Sequence, residues 1–197
     1  MALWYVSGQP VRLDANTLET LRSETFGGDL PKNVSAHSKV DLVTGEFIFF
    51  DYDLYDPFYS YGVVGPDNQL KHFTRIALPG PRLPHDMAIT ENYSILMDLP
   101  VVFTDQGLKN KIWSIHHDDN LPTRFGVIPR HGDGSAVRWF EFPGCYIYHV
   151  VNAWEEGDEI HLYCCKMVDN GRDMPTQFGP YAPMVNVPAG MSAVSHW

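Results

Sequence analysis

CYIYHVVNAWEEGDEIHLYCCKMV, residues 145–168, is two apolar runs around a short polar break. The break, EEGDE (155–159), has a glycine at its centre, and the runs beside it are rich in Tyr, Ile, Val and Leu. That combination specifies a β-hairpin. Working back toward the start, the same pattern recurs. AVRWFEFPG (136–144), TRFGVIPR (123–130) and KIWSIHH (111–117) are short strand-like runs. HDMAITENYSILMDLPVVF (85–103) breaks at Glu91-Asn92, a second hairpin turn. LKHFTRIALPG (70–80), YSYGVVG (59–65) and GEFIFFDYDLY (45–55) complete the series. Ten or more short strands with turn signals between them, and no strand–helix alternation, define an all-β fold. DANTLETLRS (14–23) is the one helix-like stretch, with Asn16 or Thr17 as its cap and Glu19 in its first turn. Residues 1–169 read as one unit. From Asn170 onward glycine and proline dominate, so 170–197 reads as an irregular tail with APMVNV its only strand candidate.

Composition narrows the function classes. Of the 197 residues, 44% are hydrophobic and 19% charged, a balance that builds a packed core rather than a disordered chain. The net charge of -10 argues against nucleic-acid binding and against a polybasic membrane patch. Three cysteines without framework spacing fit a reducing, cytoplasmic setting. No signal peptide or membrane-spanning run is evident in the sequence.

Three of the nine histidines stand apart. His37 in SAHSKVD, His85 in PRLPHDMAI and His149 in YIYHVVNAW each lie at or in a strand-like run. They are separated by 48 and 64 residues. A four-stranded propeller blade takes roughly 40–50 residues, so one histidine per blade, aimed at a common axis, gives spacings of this kind. His149 sits in a run apolar enough to be buried, where each ring nitrogen needs a partner, a metal among the candidates. On spacing alone, hydrogen-bonded core histidines remain the ordinary reading. A rival site is His117-x-Asp119 in IHHDDN, with His131 or His149 completing a two-histidine, one-carboxylate iron site; the same residues also read as a polar turn. His72, His131 and His161 look like ordinary strand or surface histidines, and His196 lies at the chain end. GDGSAV lacks the strand-to-helix context of a phosphate loop. G-x-S-x-G and C-x-x-C are absent, and Cys164 and Cys165 point to opposite faces of a strand.

At this point the chain resembles the carotenoid cleavage oxygenases, the family that also holds the lignostilbene dioxygenases and the retinal-pigment-epithelium isomerase. ALWYVSGQPVRLDANTLET, SAHSKVDLVTGEFIFFDY, PGPRLPHDMAITENYSILMDLPVVF and YIYHVVNAWEEGDEIHLYCCKMVDNGR carry the likeness, in family order. The resemblance implies a seven-bladed β-propeller with a non-haem Fe(II) held near its axis by four histidines. His37, His85 and His149 match the first three. It also implies dioxygen and an apolar polyene or stilbene as substrates, cleaved at a conjugated C=C bond to two carbonyl products. Glutamates would accept from the outer ring nitrogens.

Two departures bear on this. The family's fourth histidine lies well beyond the third, and His196 does not match its context. Tyr5 stands where the family places a glutamate supporting a ligand histidine, and Glu155 in NAWE is present. The expectation is therefore about three to four blades of seven, as a fragment of a longer product or a truncated paralogue, binding iron poorly alone. The alternative is a non-catalytic remnant of the fold that binds an apolar ligand or a protein partner. An apolar rim at a tunnel mouth would permit peripheral membrane contact for substrate uptake.

Overall fold

The computed structural model describes residues 7–28, 30–31, 33–105, 109, 115–167 and 192–196. Almost every element is a strand. The first sheet is a four-stranded antiparallel meander of β5 (Lys39–Val40), β6 (Phe47–Tyr52), β7 (Tyr59–Val64) and β8 (Leu70–Ile76), paired in sequence order. The second contains β9 (Ala88–Ile89), β10 (Tyr93–Asp98), β13 (Thr123–Pro129) and β14 (Arg138–Phe142), again antiparallel and in order. A separate hairpin, β11 (Val101–Phe103) with β12 (Ile115–His117), interrupts it. The third sheet joins β15 (Ile147–Glu156), β16 (Glu159–Met167) and β17 (Ser192–His196). Ahead of these lie two small ladders, β1 (Ser7–Gly8) with β4 (Val34–Ser35) and β2 (Val11–Leu13) with β3 (Thr20–Ser23).

Side-chain alternation explains how the sheets stack. Successive residues of a strand face opposite sides. In β6, Ile48 and Phe50 face the second sheet and pack with Met87, Leu96 and Ile128. Phe47 and Phe49 face the other way and pack with Phe26 and Val34 from the N-terminal segments. The continuous FIFF run therefore serves two apolar layers, which is why it does not alternate with polar residues. β10 divides its side chains likewise: Leu96 meets the first sheet, while Ile95 and Met97 meet Ile147, Leu162 and Cys164 of the third. Buried polar pins reinforce the first stack. The Tyr61 hydroxyl reaches Ser94 Oγ at 2.8 Å and donates to the Arg130 carbonyl at 2.9 Å. Arg130 itself donates from Nε to the Thr90 carbonyl at 2.9 Å and pairs with Asp41.

Both hairpin turns expected from the sequence are present. Gly157, with φ +60, closes the β15–β16 turn in the left-handed region that side chains disfavour. Glu91-Asn92 link β9 to β10, with the Thr90 N–H donating to the Tyr93 carbonyl at 2.9 Å.

The stretch 14–23 is not a helix. Asp14 Oδ1 accepts the N–H groups of Asn16 and Thr17 at 2.8 and 2.9 Å. Leu18 turns back at φ 60, and β3 then pairs with β2. The Asp14 carboxylate that could open a helix here closes a turn instead, and β3 is exposed along its length, with no core for a helix to bury against. Within 170–197, backbone pairing places a strand at Ser192–His196 against β16. The APMVNV segment lies outside the described residues.

Candidate metal centre

His37 occupies the turn between β4 and β5, where its N–H donates to Ser35 Oγ at 3.2 Å. His85 lies in the extended approach to β9, and His149 near the start of β15. Each histidine thus sits at the entry to the first strand of one of the three larger sheets. The entries converge. Ring centroids are 4.4 Å apart for His37 and His85, 5.1 Å for His37 and His149, and 5.3 Å for His85 and His149. One ring nitrogen from each lies within 4.8 Å of the other two. Two metal–imidazole bonds span about 4 Å, so small ring rotations bring all three nitrogens onto one ion. Tyr148 sets its ring edge-on to His85 at 5.0 Å.

Burial drives the His85 ring down to about 4, assisted by the nearby His37 and His149, while Asp86 opposes the shift. His37 is also lowered, first by burial, then with Asp86 raising it and His149 and Lys39 lowering it. Both rings are therefore neutral near pH 7, the form that offers a lone pair to a metal. Among the described residues no other group of three metal-capable side chains comes together. Neutral imidazoles suit a divalent transition metal such as iron. By donor type and spacing, the three histidines fit the metal their sequence context implies.

His149 differs from expectation in being exposed rather than buried. Ile147 is fully buried, but the β15–β16 register slips on both sides of Val150. A strand irregularity of this kind re-aims side chains; here it turns His149 from the core toward the other two rings. The rival pair does meet, His117 Nδ1 to Asp119 Oδ1 at 3.0 Å, but no third ligand joins them among the described residues. It is a polar turn. His72 bonds the Gly132 carbonyl at 2.9 Å, His131 pairs with Glu46 at 2.9 Å, and His161 stacks on Trp154 with centroids 5.0 Å apart. Glu155 supports no candidate ligand: its two oxygens accept from the Asn92 N–H at 2.8 Å and Nδ2 at 2.9 Å, bracing the β9–β10 turn. Tyr5 lies outside the described residues. Asp86 carries no sequence signal beyond its place beside His85.

An all-β scaffold that gathers three histidines from three successive sheets forms an imidazole-rich cluster that could hold a metal. The chain belongs to the carotenoid oxygenase family: the sequence model of that family, described as Retinal pigment epithelial membrane protein, matches residues 1–190. Among its relatives, carotenoid 9,10(9',10')-cleavage dioxygenase 1 of Pisum sativum is 42% identical over 159 residues, 80% of this chain and 29% of that protein. Isoeugenol monooxygenase of Pseudomonas nitroreducens is 33% identical over 186 residues, 92% of this chain and 39% of that protein. The crystal structure of Pseudomonas brassicacearum lignostilbene dioxygenase superposes with a TM-score of 0.79 at 27% identity, covering 96% of this chain and 40% of that one. The chain thus spans well under half the length of the relatives it matches.

Proposed function

We propose that this chain forms the part of a non-haem Fe(II) dioxygenase that supplies three ligands, His37, His85 and His149. The observation that carries the reading is the convergence of these rings, each entering from a different sheet, with one nitrogen apiece within 4.8 Å of the other two. In this reading the sheets are blades of a partial propeller, about three to four of seven, built from residues 1–169. Residues 170–197 follow as a tail, with β17 added to the last blade.

A bound Fe(II) would supply dioxygen activation for cleaving a conjugated C=C bond to carbonyl products. The chain's own residues do the preparing. Burial keeps the His85 and His37 rings unprotonated, so that they present lone pairs. Tyr148 packs against His85 in a T-shaped ring pair. The substrates are dioxygen and an apolar polyene or stilbene-type molecule, the classes named for the relatives. No nucleic acid is involved, and peripheral membrane contact would serve substrate uptake. The spacing of the three cysteines, which forms no disulfide framework, supports a reducing compartment such as the cytoplasm.

The test is anaerobic Fe(II) titration of the purified chain. One ion per chain, bound weakly by three imidazoles and lost in His85→Ala, is expected. No binding at all, or binding indifferent to His85→Ala, rejects the centre. A second reading has one observation in its favour: the exposure of His149. A non-catalytic form of the fold, binding an apolar ligand or a protein partner, would leave that ring open to solvent. Turnover of an apocarotenoid or a stilbene by the iron-loaded protein decides between them.

A further inference from the structure

Asp86 is almost fully buried, and its carboxylate carries three hydrogen bonds. Oδ1 accepts from Lys39 Nζ at 2.6 Å and from the Met87 N–H at 2.8 Å. Oδ2 accepts from the Val150 N–H at 2.8 Å. Lys39 is two residues past His37, Asp86 itself follows His85, and Val150 follows His149. One carboxylate therefore joins the three segments that carry the histidines, and every joint lies within two residues of a ring.

The β15–β16 ladder supplies a second, independent observation. Its register shifts on both sides of Val150. Such an irregularity takes a backbone N–H out of regular pairing, and the Val150 N–H goes to Asp86. The slip that turns His149 outward and the acid beside His85 thus act together. An ion pair whose lysine reaches toward solvent gives little net stability, so stability alone does not account for the Asp86–Lys39 pair.

The geometry points to Asp86 as the positioning residue of the three-histidine centre, holding the segments of His37, His85 and His149 so that their imidazoles face one ion. This rests on the metal-centre reading above. Asp86 bonds to none of the three rings, so its effect passes through the backbone and Lys39. An Asp86 variant should weaken metal binding out of proportion to its effect on the fold.

Glu24 is the matched control. It too is buried, pairs with an arginine (Arg12) and accepts two backbone N–H groups, from Thr25 at 3.1 Å and Phe26 at 3.0 Å, but among the described residues it bonds to none of the three segments that carry His37, His85 and His149. The experiment titrates Co(II) into the full metal-free chain, following visible d–d absorption, with urea unfolding of each variant alongside. Asp86→Ala should bind Co(II) at least about tenfold more weakly, the usual effect of losing a residue that orients a ligand. Asp86→Asn, which keeps one acceptor oxygen, should fall between it and wild type. Glu24→Gln should lose stability yet keep its affinity within about twofold. Unchanged affinity in Asp86→Ala overturns the proposal, as does an equal loss in Glu24→Gln. If Asp86→Ala fails to fold, Asp86→Asn and Lys39→Met carry the comparison, and wild-type affinity in both overturns it. A wild-type chain that binds no Co(II), or a His85→Ala chain that binds as well as wild type, rejects the metal centre itself.

Discussion

Tyr59 and Tyr61 offer a matched pair on one strand. Both are fully buried in the layer between the first two sheets, two residues apart and on the same face of β7. Their hydroxyls differ. Tyr61 is bonded to Ser94 Oγ and the Arg130 carbonyl, and burial pushes its phenol up to about 12. The Tyr59 hydroxyl meets no partner at full hydrogen-bond distance and angle among the described residues, although the Met97 backbone acts on it against the upward push of burial. Tyr61→Phe removes two hydrogen bonds and strands two buried groups, Ser94 Oγ and the Arg130 carbonyl. At about 1 kcal/mol per bond, plus the cost of leaving a buried group unpaired, the loss is about 2–3 kcal/mol. For a chain of this size that lowers Tm by roughly 5–10 °C. Tyr59→Phe deletes an unpaired buried hydroxyl and should be neutral, or stabilising by up to about 1 kcal/mol. Urea unfolding followed by tryptophan fluorescence measures both. Equal destabilisation by the two variants, or a Tyr61→Phe loss below about 0.5 kcal/mol, refutes the claim that polar pins hold these two sheets together.

Three further outcomes follow from other contacts. Asp41 is held down to about 2, first by its bond from Arg130 and then by the Val43 N–H. Because the folded value lies below the ordinary 3.8, this stability is present above pH 4 and is lost as pH falls through about 2. The linkage is worth at most about 2 kcal/mol, and acid titration of unfolding should show it in wild type but not in Asp41→Asn. Gly62 faces Phe49 across the β6–β7 ladder, and a Cβ there would meet the fully buried ring at 2.4 Å. Gly62→Ala should cost about 1–3 kcal/mol, and a change in unfolding midpoint too small to detect would contradict that contact. Glu155→Ala loosens only an exposed turn, so it should cost about 0.5–1 kcal/mol and leave Co(II) affinity at the wild-type value. A large drop in affinity would return Glu155 to the centre.

The strands were legible because their causes are local. β-branched and aromatic runs punctuated by Glu91-Asn92 and Gly157 carry their own turn chemistry, and those hairpins formed where the residues placed them. Asp14 shows the limit of local reading. A carboxylate accepting the next two or three N–H groups is common to helix starts and turns, and only the pairing of β2 with β3 decides between them. The three histidines were legible as long motifs, but spacing said nothing of their directions. His149 was expected to be buried because its neighbours are apolar; the register slip at Val150, invisible in sequence, turns it outward. Asp86 was the least legible. Its long-range partners are a lysine 47 residues upstream and a backbone N–H 64 residues downstream, and backbone donors leave no trace in residue identity. A centre assembled from separate sheets needs something to fix the distances between them, and hydrogen bonds across sheet entries do this at low cost in chain length. The residues that offer a metal its lone pairs can be recognised one motif at a time. The residue that holds them together is recognisable only once the motifs have met.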